Sequence, residues 1–158
     1  MTPSPFRTSP GDVWAELYLT ALPTAVARAR RFTEVTLHRW RLAACCDAVS
    51  LVASELLTNS VRATGPDTMP QTLDKLDDLD LAVVAVRLRS TPSSLFVEVW
   101  DSDPEPPMLT EADALDESGR GLTLVAALTT TWGHYACEGT TPGKVVWAEI
   151  ARSADWAP

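Results

Sequence analysis

Cysteine and histidine are scarce, with three of one and two of the other in 158 residues. Cys45 and Cys46 are adjacent, no two cysteines have metal-ligand spacing, and three thiols cannot build a disulfide framework. The cysteines therefore read as small buried hydrophobes in a reducing compartment, and His38 and His134 are too few to complete a zinc site. No apolar run approaches the roughly eighteen residues needed to cross a bilayer. The opening Met1-Thr2-Pro3-Ser4-Pro5-Phe6 lacks the basic and apolar regions of a signal peptide, so a cytoplasmic protein with no membrane contact is expected. Basic residues are also few, 13 Lys and Arg against 21 Asp and Glu for a net charge of −8. That balance argues against a nucleic-acid surface or docking on anionic lipid. The Gly-x-x-x-x-Gly-Lys-Ser/Thr phosphate loop is missing too, which excludes a P-loop ATPase.

The chain does contain enough apolar residues, 46%, to bury a sizeable core in one domain. The charge is uneven: residues 1–65 hold seven Arg and Lys against five Asp and Glu, and residues 66–158 hold six against sixteen. The basic cluster Arg28, Arg30, Arg31, Arg39 and Arg41 reads as the solvated face of a helix. Residues 1–11, rich in Pro, Ser and Thr, predict a mobile arm; residues 12–151 form the domain, and 152–158 a tail.

Alternation over Val13–Thr20 predicts a strand, and Pro23-Thr24 opens a helix burying Leu22, Val26, Ala29, Phe32 and Trp40. A second helix ends at Gly65-Pro66, a stop made of a residue tolerant of left-handed dihedrals and one that cannot donate. Residues 66–80 read as a polar loop. Leu81–Ser90 and Leu95–Asp101 form a hairpin about Pro92-Ser93-Ser94, with Arg87 and Arg89 in the phase opposite Val84, Val86 and Leu88. Asp101 falls in the apolar phase of its strand, where an unpaired charge is costly, and is therefore informative. Residues 103–118, with three prolines and many acids, read as a long functional loop. A helix over Gly121–Leu128 and strands over Thr131–Cys137 and Lys144–Ile150 complete the order. There is no internal repeat, and the sum is an α+β two-layer sandwich, a mostly antiparallel mixed sheet with helices on one face.

Chemistry concentrates on the second helix. Val49, Val52, Ala53, Leu56, Ser60 and Ala63 follow helical spacing, and Glu55, Asn59 and Arg62 share the neighbouring face. An amide oxygen from Asn59 suits Mg²⁺, which takes oxygen ligands alongside phosphates and water. Glu55, one turn earlier, is placed to orient or deprotonate a hydroxyl or water.

Glu55-Leu56-Leu57-Thr58-Asn59 resembles the N box of the ATP-binding domains shared by gyrase, histidine kinases and anti-sigma-factor kinases. Val97-Glu98-Val99-Trp100-Asp101 with Pro104 and Pro107, then Gly119-Arg120-Gly121-Leu122, then Gly143-Lys144-Val145-Val146-Trp147-Ala148-Glu149 resemble its G1, G2 and G3 boxes. The resemblance spans about residues 12–151 and is to the single-domain actinobacterial type of anti-sigma-factor serine kinase. It implies the Bergerat-type ATP-binding fold, with ATP and Mg²⁺ as cofactors. In that pattern Asp101 accepts from the adenine amine, Glu55 is the catalytic base, and Asn59 holds Mg²⁺. Arg62, Pro104, Gly119, Arg120, Gly121 and Leu122 belong to the nucleotide site, and residues 103–118 are its lid. It also implies a protein partner, a sigma factor or an anti-anti-sigma-like protein, and leaves a homodimer open.

The family's Asp-x-Gly-x-Gly is here Asp101-Ser102-Asp103-Pro104-Glu105, the basic or His end of the N box is Ala63-Thr64, and Val145 or Val146 stands for the G3 threonine. Weaker nucleotide affinity is the expected consequence. Two functions fit: an ATP-dependent serine/threonine protein kinase, and a nucleotide-binding partner-switching module without turnover.

Overall fold

The computed structural model describes residues 4–67, 80–107 and 120–152. Five strands form one sheet: β1 (Val13–Thr20), β2 (Val83–Ser90), β3 (Ser94–Asp101), β4 (Thr131–Cys137) and β5 (Gly143–Ala151). Their spatial order is β1-β2-β3-β5-β4, with every pairing antiparallel. Three α-helices, α1 (Thr24–Arg39), α2 (Cys46–Thr64) and α3 (Arg120–Leu128), pack on one face. This is the α+β sandwich that the element order predicts.

The core lies between the helices and the β-residues of one phase. Val84, Val86, Val97 and Val99 meet Leu56 and Leu57 there, all essentially excluded from solvent. Burying side chains of this size contributes about 1.5–3 kcal/mol each. The predicted stripe of α2 needs one adjustment: Leu57 is buried and Ala63 is exposed. On α1 the buried face is Ala25, Ala29, Thr33, Thr36 and Leu37, while Val26, Phe32 and Trp40 pack at its margin.

Two helix ends depart from what their residues suggest. At the end of α1, Arg41 adopts φ 59°, with Leu42 N–H donating to Leu37 O (2.8 Å) and Arg41 N–H to His38 O (3.1 Å). That is a Schellman cap with arginine in the place usually taken by glycine. At the end of α2, Gly65 is extended rather than left-handed (φ −73°, ψ 168°). Its role is close approach, because a Cβ there would lie 2.5 Å from Val61 O and 2.8 Å from Ala21 O.

The opposite face of the sheet is covered in part by the N-terminal segment expected as an arm. Pro5 and Phe6 are buried, and Phe6 clusters with Ala85, Trp100 and Val145. Arg87, in the phase opposite the core, is wholly buried beneath this segment. Its guanidinium lies over the Phe6 ring (4.6 Å), donates from Nε to Glu98 Oε2 (2.6 Å), and donates from Nη2 to Arg7 O. Arg89 pairs with Asp12 (3.0 Å) and Glu98 (3.5 Å) and stacks over Phe96. No helix among the described residues is long and apolar enough to cross a membrane.

Candidate nucleotide site

Strand register fixes which chain ends meet. β1 ends at Thr20 opposite Val83, where β2 begins; Trp100 near the end of β3 pairs with Ala85, and Asp101 pairs with Lys144 at the start of β5. β4 ends at Cys137 opposite Gly143. Gly65 lies against Ala21, just past β1, so α2 runs toward this same end of the sheet. Helix α3 closes at the far end, where Thr130 N–H donates to Glu149 O (2.8 Å), so its first turn lies toward the Asp101 end. The last turns of α2, the end of β3 and the start of β5 are thereby gathered at one rim.

Asp101 is fully buried on the core side of β3, as its phase predicts. Its Oδ1 accepts from Lys144 Nζ (2.8 Å) and from the Asp103 amide (3.1 Å). Its Oδ2 is buried and has no hydrogen-bond partner among the described residues. Lys144, itself only 5% exposed, also donates to Asp103 O (3.0 Å) and Asp103 Oδ2 (3.1 Å). Glu105 N–H in turn donates to Asp103 Oδ1 (3.1 Å). Two successive aspartate-to-amide turns therefore shape residues 101–105, where the family pattern has glycines. Desolvation works to raise the Asp103 carboxyl, but the Glu105 amide and the Lys144 ammonium outweigh it and hold the group below its ordinary value.

The close fit of β5 to β3 depends on Gly143. At φ +138°, a Cβ on this residue would sit 2.0 Å from Asp101 O. Register sorts the residues of the G3 box: Val145 turns to the outer face beside Trp100, Val146 packs in the core, and Lys144 stands against Asp101. Lys144 and Asp103 were missed as site residues. The signal was present, since Lys144 shares the phase of Val146, Ala148 and Ile150, as Asp101 shares that of Val97 and Val99.

Glu55 and Asn59 are half-buried on α2, and Arg62 on its last turn is exposed. Among the described residues no ion pair engages Glu55 or Arg62. Pro104 is exposed just beyond the Asp101 turn. Leu122 is buried in the main core, so any contact from it to a ligand runs through its backbone. Arg120 and Gly121 begin α3, whereas Gly119 and residues 108–118 of the expected lid lie outside the described residues. Among the described residues no cluster of three or more His, Cys, Asp or Glu offers a metal cage.

A family model for the histidine kinase-like ATPase domain matches residues 19–150. The chain belongs to this family. No curated protein matches it. Membership in the histidine kinase-like ATPase family implies ATP binding, and the site passes a test of fit. Asp101 Oδ2 is a buried acceptor with no donor among the described residues, and a buried polar atom left so costs about 1–3 kcal/mol. That atom suits an N–H donor such as a 6-amino purine carries and does not suit a carbonyl oxygen.

Proposed function

We propose that this chain is an ATP-binding regulatory protein of the anti-sigma-factor kinase kind, phosphorylating a seryl hydroxyl on a partner protein. The partner is a sigma factor or an anti-anti-sigma-like protein. The observation that carries the reading is the buried, unpartnered Asp101 Oδ2, at the rim toward which the Glu55 and Asn59 helix runs. Asp101 selects the base. Asn59 would hold Mg²⁺ through its amide oxygen, and the ion would neutralise charge on the phosphates. The first turn of α3, from Arg120 to Leu122, offers backbone N–H groups and the positive end of a helix dipole to phosphate oxygens.

Bound ATP supplies the γ-phosphoryl group, which the seryl oxygen receives as ADP departs with the bridging oxygen. Glu55 accepts the hydroxyl proton as the new P–O bond forms. The two helix residues therefore separate in kinetics. Glu55→Ala leaves nucleotide affinity nearly intact and removes phosphate transfer, because a base acts in the chemical step. Asn59→Ala weakens both, because a metal ligand serves the ground state and the transition state. Labelled ATP, a candidate partner and calorimetry on the same variants provide the test.

One observation favours a second reading. The base end is rebuilt with Lys144 and Asp103 and still presents a vacant acceptor, a feature that ligand binding needs and turnover does not. Wild-type protein that binds ATP and the partner but transfers no phosphate is then a nucleotide-controlled switch.

A further inference from the structure

We propose that Lys144 is a positioning residue that sets base selection, by fixing Asp101 so that it meets the ligand only as an acceptor. The inference rests on the ATP reading above and concerns a residue that touches Asp101 rather than the base. An ammonium has three N–H donors and no acceptor. All three have partners here: Asp101 Oδ1 at 2.8 Å, Asp103 O at 3.0 Å and Asp103 Oδ2 at 3.1 Å. None is left to greet a carbonyl oxygen. Oδ1 of Asp101 is likewise engaged twice, by Lys144 and by the Asp103 amide, which leaves Oδ2 without a donor among the described residues.

The arrangement has a consequence for purines. A 6-amino base meets a matched acceptor, while a 6-oxo base meets that acceptor and finds no free Lys144 N–H. Lys144 also supplies the counter-charge for a buried carboxylate, without which Asp101 would be costly to keep in place. Its backbone is held by strand register and by the tight Gly143 contact with Asp101 O, which keeps the ammonium against Asp101. Asp103, on the turn itself, sets the donor count: it takes two of the three N–H groups.

The two residues make opposite predictions for ATP and ITP, nucleotides that differ in the C6 group. In the full chain, Lys144→Met loosens Asp101 and lowers ATP affinity about tenfold, with ITP affinity little changed. Asp103→Ala frees one Lys144 N–H for the 6-oxo group and raises ITP affinity about fivefold, with ATP affinity little changed. Lys144→Arg, which keeps charge and donors, retains a preference for ATP. A purely structural role would lower both affinities together and leave their ratio unmoved.

A ligand-free readout separates this inference from the ATP reading. Hydrogen exchange of the residue 103 amide, which donates to Asp101 Oδ1, speeds up in Lys144→Met and not in Asp103→Ala. Wild-type protein that binds neither nucleotide overturns the ATP reading, and the amide then decides the clamp alone. An unchanged ATP-to-ITP ratio in Lys144→Met, or unchanged exchange at residue 103, overturns the role of Lys144. If Lys144→Met does not fold, Asp103→Ala decides, and the absence of any gain in ITP affinity overturns the proposal.

Discussion

Strand β3 carries two buried ion pairs, one on each face of the sheet, and they are finished differently. On the outer face Glu98 pairs with Arg87, and the N-terminal segment seals them with the Phe6 ring and the Arg7 carbonyl. Arg87 Nη1 lacks a hydrogen bond there but has the Glu16 carboxylate at 3.9 Å. On the core face Asp101 pairs with Lys144, and the unsatisfied atom is the acceptor Asp101 Oδ2, for which the described residues supply no donor. The first pair thus leaves Arg87 Nη1 without a hydrogen bond among the described residues but with a carboxylate nearby as counter-charge. The second is satisfied on Oδ1 and has no donor for Oδ2 among the described residues, which is the atom the proposed ATP site uses.

The comparison breaks most broadly at Gly143, where stability and binding are lost together. Gly143→Ala forces a methyl group into Asp101 O and a left-handed residue into strain, so a loss of about 3–4 kcal/mol in unfolding free energy is expected, with ATP binding lost as well. Denaturant unfolding and calorimetry read both. Arg87→Ala leaves Glu98 buried without its closest partner and destabilises by about 3–5 kcal/mol. Here the two faces should part company: at a temperature where the variant remains folded, its ATP affinity stays near the wild-type value. Phe6→Ala uncovers the outer pair from above and costs about 2 kcal/mol by thermal melting, again with the nucleotide site unaffected.

A smaller effect sharpens the contrast through pH. The Asp103 carboxyl sits below its ordinary value in the folded chain. Its contribution is therefore fully present above the unfolded value, about 4, and is lost as pH falls through the lower folded value. The stability difference between wild type and Asp103→Asn, measured by denaturant unfolding, should be constant from neutral pH down to that window and shrink below it. A difference that grows on acidification would assign the Asp103 contacts the wrong sign.

Much of this was legible in the residues, and the reasons for the rest are physical. Period-2 alternation placed β1, β2 and β3, the turn over residues 138–143 separated β4 from β5, and the same alternation exposed Asp101 as a charge on the wrong side of its strand. Lys144 carried the same mark but was read as a box residue to be matched rather than as a buried cation. Phase put Arg87 on the face opposite the core but could not show its burial, because the cover comes from Phe6 at the far N-terminus and such a contact leaves no local trace. The turn at Arg41 was invisible for a different cause, since nothing in an arginine announces a left-handed cap. Gly65 was read correctly as a stop and for the wrong reason, crowding against Ala21 rather than a positive φ.

The central claim is that Asp101 Oδ2 waits for an adenine amine, and titration calorimetry of the wild-type chain and Asp101→Ala with Mg²⁺ and either ATP or GTP tests it most directly. The account predicts that wild type binds ATP at least about tenfold more tightly than GTP, and that Asp101→Ala loses most of its ATP affinity and with it the preference. Equal affinity of the wild-type chain for ATP and GTP, or full ATP affinity in Asp101→Ala, would contradict it.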